Sequence, residues 1–209
     1  MFKKLLSCLL ILLWCSLPYA ATEDRILVYG DSLSAGFGIA VDQSWPALLG
    51  QRLTAAGSVL TVTNASISGE TTAGGRSRLA TALTQFKPRI VILALGANDG
   101  LRGLPVTTMK DNLAAMVKLS KQRGARVLLI GMRLPPNYGS KYTQEFDQAF
   151  RDLARSEKIA LLPFLLEPIA LDRNAYQADG LHPTAAAQPK ILDHVWRALR
   201  PLLNLKSDK

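Results

Sequence analysis

The chain has 209 residues, 48% of them hydrophobic, and its 25 basic against 16 acidic side chains give a formal charge of +9. That length suits one domain with a sizeable core, and the absence of repeats, low-complexity tracts and long linkers excludes solenoid and disordered classes. The basic residues are dispersed rather than massed in one block, so they read as a solvated face with a mild attraction for anionic lipid surfaces, not as a nucleic-acid patch.

The N-terminus stands apart. Met1-Phe2-Lys3-Lys4 is a short basic region, Leu5 to Leu17 an apolar one, and Pro18-Tyr19-Ala20-Ala21 offers small residues for cleavage. This pattern reads as a signal peptide over 1–20, with 21–209 as a single domain, exported to the periplasm or secreted. A retained anchor or a lipoprotein is the alternative, although Cys8 and Cys15 have poor neighbours for lipidation. Both cysteines of the chain lie in this segment. The exported form would contain none, which removes disulfides, a cysteine nucleophile and thiolate metal sites. Losing Lys3 and Lys4 lowers its formal charge to +7. Export also argues against nucleic acid as a partner.

Ile26-Leu27-Val28-Tyr29 is an apolar run that predicts a buried strand. It leads into Gly30-Asp31-Ser32-Leu33-Ser34 and the turn-prone Ala35-Gly36-Phe37-Gly38. Ser44 is placed to cap a helix that ends before Gly57. Val59 to Val62 predicts a second strand, leading into Asn64-Ala65-Ser66-Ile67-Ser68-Gly69-Glu70-Thr71. Thr72 to Phe86 predicts a helix loosened by Gly74-Gly75. Ile90 to Leu95 is a continuous apolar run typical of a central parallel strand, ending in Gly96-Ala97-Asn98-Asp99-Gly100. Beyond a loop over 101–105, Val106 to Arg123 is amphipathic and Gly124 stops it. Val127 to Ile130 is a fourth strand and Met132 to Gly139 a loop. Thr143 to Lys158 is a helix with Phe146, Phe150 and Leu153 on one face. Ile159 to Leu166 is a fifth strand, 168–181 is irregular, and a last helix from Ala185 to Leu203 is bent at Pro189.

Strands and helices alternate throughout. That predicts an α/β fold: a three-layer α/β/α sandwich on a five-stranded parallel sheet with right-handed crossovers. Each unusual loop follows a strand, so these loops converge on the rim where such sheets bind ligands.

Several rim residues fit nucleophilic catalysis. Ser32 follows the first strand; the alternative is a Gly-Asp-Ser turn that merely caps the next helix. Of the two histidines, His194 falls within the last helix, whereas His182 sits in Asp179-Gly180-Leu181-His182-Pro183. Asp179 is spaced to bond its imidazole, although Asp179-Gly180 also reads as a plain turn. A serine, a base and an orienting carboxylate are the parts acyl transfer needs. Gly69 could present a backbone N–H, and Asn98 an amide, to a developing oxyanion; each could also be a turn residue. Asp31 is expected to tie down the turn that presents Ser32. Nothing in this set asks for a metal or a cofactor.

These motifs resemble the GDSL/SGNH hydrolases over essentially the whole exported chain. Gly30-Asp31-Ser32-Leu33-Ser34 is similar to the family's first block, Gly69 in its loop to the second, Gly96-x-Asn98-Asp99 to the third and Asp179-x-x-His182 to the last. Asn98 to Gly103 and Leu134 to Gly139 resemble more narrowly a periplasmic subgroup of multifunctional esterases. Glu70 departs from that subgroup, which often carries Asp there. No G-x-S-x-G elbow is present, which argues against an ordinary α/β-hydrolase.

The resemblance implies a flavodoxin-like sheet and a serine esterase acting through an acyl-serine. Its catalytic residues would be Ser32, Asp179 and His182, and its oxyanion hole Ser32, Gly69 and Asn98. Aryl esters, fatty acyl esters, lysophospholipids and acyl thioesters are the implied substrates. Apolar rim residues bias the choice toward an acyl or aryl group: Leu101, Leu104, Met132, Leu134, Pro135 and Tyr138 are the expected substrate wall. Arg102 and Arg133 could meet an anionic head group. The expected protein is a monomer acting on a small ester or lipid, with transient contact to a membrane surface. An esterase for a small polar substrate and a non-catalytic binding module are the rival readings.

Overall fold

The computed structural model describes residues 23–203, in which every strand is followed by one or two helices; the candidate leader and its cleavage point lie outside the described residues. The strands are β1 (Glu23–Gly30), β2 (Thr61–Asn64), β3 (Pro88–Ala94), β4 (Arg126–Ile130) and β5 (Ala160–Leu162). The helices are α1 (Ser32–Ala35), α2 (Trp45–Ala55), α3 (Thr72–Phe86), α4 (Ala97–Leu101), α5 (Val106–Gln122), α6 (Ser140–Glu157) and α7 (Gln188–Leu203). All strand pairs are parallel, in the order β2-β1-β3-β4-β5. This is the flavodoxin-like arrangement, whose switch point lies between β1 and β3.

The three layers follow from side-chain alternation along the central strands. Ile26, Val28, Ile90 and Ile92 face α2 and α7, where Trp45, Leu49, Ile191 and Val195 cover them. Leu27, Tyr29, Val91 and Leu93 face the opposite layer and meet Leu79, Leu113, Met116, Phe146 and Phe150 from α3, α5 and α6. These residues are all but inaccessible to solvent. Each large aliphatic side chain buried this way contributes about 1.5–3 kcal/mol, enough to hold a fold without disulfides.

Several boundaries differ from the sequence expectation. β5 stops at Leu162 because the ladder then slips: the Gly131 N–H donates to the Leu162 carbonyl, but the Gly131 carbonyl accepts from Leu165 instead of residue 164, and Leu165 and Leu166 turn into the core. β2 begins two residues late, leaving Val59 exposed. Gly74-Gly75 does not loosen α3: a side chain on Gly75 would run into Leu95, so the glycine lets the helix sit close to the end of β3 rather than breaking it. Pro189 lies in the first turn of α7, where no N–H is needed, so it starts the helix instead of bending it. Ser44 sits at the cap position of α2 but its hydroxyl donates to the Val41 carbonyl, and the Trp45 N–H is taken by Gln188 Oε1 at 2.9 Å. The short helices α1 and α4 fall within stretches read as turns.

Candidate active site

Ser32 is the first residue of α1, at the C-terminal end of β1 and beside the switch point. Asp31 caps that single turn. Its Oδ1 accepts from the Leu33 N–H at 3.1 Å, and its carbonyl accepts from Ser34 and Ala35. Trp45 braces the turn from α2, its indole N–H donating to the Leu33 carbonyl at 3.2 Å. The Ser32 hydroxyl is therefore aimed by backbone geometry and a buried tryptophan.

His182 arrives from the loop between β5 and α7, 150 residues away in sequence, with Nε2 at 2.9 Å from Ser32 Oγ. Its Nδ1 lies 2.7 Å from Asp179 Oδ2. The other oxygen of Asp179 accepts from the Leu181 and His182 N–H groups at 2.9 and 3.0 Å. The backbone bond from His182, its imidazole and the Leu181 N–H together hold the Asp179 carboxyl down at about 2. A permanently ionised Asp179 selects the tautomer with the proton on Nδ1, leaving Nε2 free to accept from Ser32.

Two contacts that the sequence did not suggest hold this loop. The backbone N–H of Gln177 donates to the His182 carbonyl at 2.8 Å, and its amide donates to the carbonyls of Phe37 and Pro183. The Phe37 ring lies 4.5 Å from the imidazole, between centroids, and shields it. A polar residue in an irregular loop carries no local signal of such a role.

Gly69 and Asn98 come from the loops after β2 and β3. Gly69 has φ +78°, a left-handed conformation that a side chain would strain, and its carbonyl accepts from Arg102 Nη2 at 3.0 Å. Arg102, expected to meet a head group, is thus engaged with the backbone of this loop. Asn98 Nδ2 donates to the Glu70 carbonyl at 3.1 Å, which fixes the amide and leaves its second hydrogen for another acceptor. Glu70 pairs with Arg78, whose guanidinium lies 3.9 Å from the centre of the Tyr29 ring. Asp99 turns away from the cavity and accepts from Thr72 N and Oγ1, inside a buried network that continues to Asn112. The loops carrying Gly69 and Asn98 are therefore locked to each other.

Ser32, Gly69, Asn98 and His182 share the wall of one cavity of about 810 Å³. Leu101, Met132, Leu134 and Pro135 line it as expected. Leu104 and Tyr138 do not. Leu104 is exposed, its carbonyl accepting from Tyr142, and Tyr138 spends its hydroxyl on the Leu101 carbonyl, supporting the wall from behind. The sequence reading missed the opposite wall, where Phe164, Leu166, Tyr176 and Leu181 face the cavity. His194 lies apart, bonded to the Phe164 carbonyl at 3.0 Å.

With that geometry in hand, residues 28–188 match the GDSL-like lipase/acylhydrolase family. The chain belongs to that family. It is 46% identical over 187 residues to the esterase TesA of Pseudomonas aeruginosa, covering 90% of this chain and 93% of that one. It is 41% identical to the thioesterase 1/protease 1/lysophospholipase L1 of Escherichia coli strain K12, covering 88% of each. The psychrotrophic esterase EstA of a Pseudoalteromonas species, solved with monoethylphosphonate as inhibitor, superimposes with a TM-score of 0.83 at 40% identity, over 87% of this chain and all of that one. The architecture is accordingly that of an SGNH hydrolase, with Ser32 at the start of α1 and His182 on the loop before α7.

Asp31 gives the site a measurable signature. It is 2% exposed, and burial pushes its carboxyl up to about 7 in spite of the Leu33 N–H. Between the unfolded value near 4 and about 7, the folded chain holds a proton that the unfolded chain has released. This contribution to stability is therefore full at acid pH and is lost as pH rises through about 7. Asp31→Asn keeps an oxygen for the cap and removes the titration. Thermal melts across that interval should show the wild-type Tm falling relative to the variant as pH rises. A constant difference would reject a buried, titrating Asp31.

Proposed function

We propose that this chain is an exported serine esterase whose nucleophile is Ser32 and whose natural substrates carry a fatty acyl or aryl group. Ester hydrolysis is the activity its family membership supports. Ser32 Oγ attacks the acyl carbonyl while His182 Nε2 takes the hydroxyl proton. The oxyanion is received by the Ser32 and Gly69 N–H groups and the Asn98 amide. As the tetrahedral adduct collapses, the carbonyl re-forms, the bond to the leaving oxygen breaks, and imidazolium passes its proton to the departing alcohol. A water deprotonated by His182 then attacks the acyl-serine; its collapse releases the acid and returns the proton to Ser32. Asp179 holds the imidazole and stabilises its charged form throughout. No step calls for a metal or a cofactor.

The observation that carries this reading is the unbroken relay from Ser32 through His182 to Asp179 at the wall of an apolar cavity. The phosphonate inhibition of the Pseudoalteromonas relative fits a nucleophilic serine. The relative named as a thioesterase and lysophospholipase extends the reading to acyl thioesters and lysophospholipids. Acyl-CoA is a cytoplasmic metabolite, so for an exported enzyme lipid and aryl esters are the natural task. The basic, apolar, small-residue pattern over 1–20 supports export to the periplasm.

A series of p-nitrophenyl esters from acetyl to palmitoyl tests the substrate class. Each methylene laid on the apolar wall should raise kcat/KM by about threefold to fourfold until the chain outgrows it. An optimum at acetyl, with no activity on longer chains, would replace this reading with an esterase for small polar substrates.

A further inference from the structure

Seven large hydrophobic side chains stand exposed among the described residues, and six of them lie at one end of the molecule. Phe37 and Val41 are between α1 and α2, Ile67 between β2 and α3, Leu104 between α4 and α5, and Leu171 and Leu181 between β5 and α7. Every one of these segments joins the C-terminal end of a strand to the start of the next long helix, so all belong to the rim on which the cavity opens. Val59, the exception, precedes β2 at the other end. Isolated exposed hydrophobics are ordinary; their concentration around one opening is not.

The placement is specific. Phe37 and Leu181 are 49% and 47% exposed, yet both also line the cavity, so its wall continues outward onto the surface. Leu171 is 99% exposed and follows Ala170, itself part of the wall. Exposed Arg133 and Arg173 line the same mouth, Arg133 lying over the Phe164 ring with its Nε 3.7 Å from Asp147 Oδ1, and exposed Arg102 lies beside it. The nearby carboxylates of Asp172 and Glu167 face Lys190 and His194 on α7, at 3.8 and 3.6 Å.

We propose that this rim is a docking face for an anionic lipid surface, with Ile67, Leu171 and Leu181 entering the acyl boundary and Arg133 and Arg173 meeting the head groups. It rests on the esterase reading only for what the cavity receives. An acyl chain can then slide from the bilayer along Phe37 and Leu181 to Ser32 without crossing water. Charge selects this occupant over a second copy of the chain. A self-interface would bring two sets of rim arginines together and seal both cavities, whereas anionic lipid neutralises the arginines and leaves the mouth facing its substrate.

Cosedimentation tests this without any turnover. The form of the protein that an exporting host releases is mixed with vesicles of phosphatidylcholine plus phosphatidylglycerol, or of phosphatidylcholine alone. The wild type should sediment with the mixed vesicles and more weakly with the neutral ones, and added salt should reduce the difference. Ile67→Asp with Leu171→Asp should lower partition onto mixed vesicles by about tenfold or more, the value expected when even one large aliphatic side chain loses its burial. Hydrolysis of water-soluble p-nitrophenyl butyrate by this variant should stay within about twofold of wild type, since neither residue lines the cavity, and that also shows it folded. Wild type that ignores anionic vesicles, a double variant that binds them equally, or a dimer dissolved by Leu171→Asp would each overturn the proposal. A protein that binds vesicles but hydrolyses no ester would overturn the esterase reading alone.

Discussion

Ser32→Ala should lower kcat for p-nitrophenyl butyrate by about 10⁵- to 10⁶-fold, the scale seen when the nucleophile of a serine hydrolase is removed, and should abolish labelling by a fluorophosphonate. The two readouts fail for one reason. Ser32 Oγ is the hydroxyl at 2.9 Å from His182 Nε2, and among the described residues no other hydroxyl bonds that nitrogen. Ser34 is fully buried against Gly30 and cannot reach substrate. Ser68, on the cavity wall, belongs to the Gly69 loop. The variant should fold normally, because the turn is held by the Asp31 cap, the Trp45 indole and the Asn64 amide on the Ser34 carbonyl, none of which uses the Ser32 hydroxyl. Residual hydrolysis above the uncatalysed rate would come from the oxyanion donors. Persistent labelling of the alanine variant would move the nucleophile elsewhere and end the mechanism proposed above.

The same contacts explain what could be read in the sequence and what could not. Parallel strands buried on both faces are continuous apolar runs, so Ile26 to Tyr29 and Ile90 to Ala94 announce themselves, and alternation with amphipathic helices leaves few topologies. Ser32, Gly69, Asn98, Asp179 and His182 were legible because rim loops need unusual residue types at fixed offsets from strand ends. Asp179 and His182 are also close in sequence, so their pairing is nearly local.

Long-range polar contacts left no such trace. Gln177 reaches Phe37 across 140 residues, and Arg102 reaches Gly69 across 33. Neither residue type is unusual in an exposed loop. Apolarity in turn is ambiguous about direction: Leu104 and Leu134 look alike in sequence, but Leu134 faces the cavity while Leu104 faces solvent. The Phe164 and Leu166 wall was hidden because its apolar run reads equally well as an extension of β5, and the slip in register after Leu162 has no signal of its own in the sequence.

Asp179→Asn should lower kcat by about 10⁴-fold, and more than Asp179→Ala does. The carboxylate divides its two oxygens between backbone and ring. Oδ1 is fixed by two backbone N–H donors, from Leu181 and His182, while Oδ2 faces Nδ1. In the asparagine variant those donors demand the carbonyl oxygen, so the amide nitrogen is forced toward the ring. An NH₂ group there needs Nδ1 as an acceptor, which puts the proton on Nε2. That tautomer cannot take a proton from Ser32, so the loop is intact and the base is disabled. In the alanine variant no group enforces the wrong tautomer. Asp179 lies at the surface, with 39% of its side chain exposed, so water can accept from Nδ1–H in its place. The cost is then a looser loop and an unassisted imidazolium. Steady-state rates on p-nitrophenyl butyrate, with fluorophosphonate labelling rates as a second readout, check the order. Asparagine faster than alanine would show that Asp179 acts by charge alone, without selecting the tautomer.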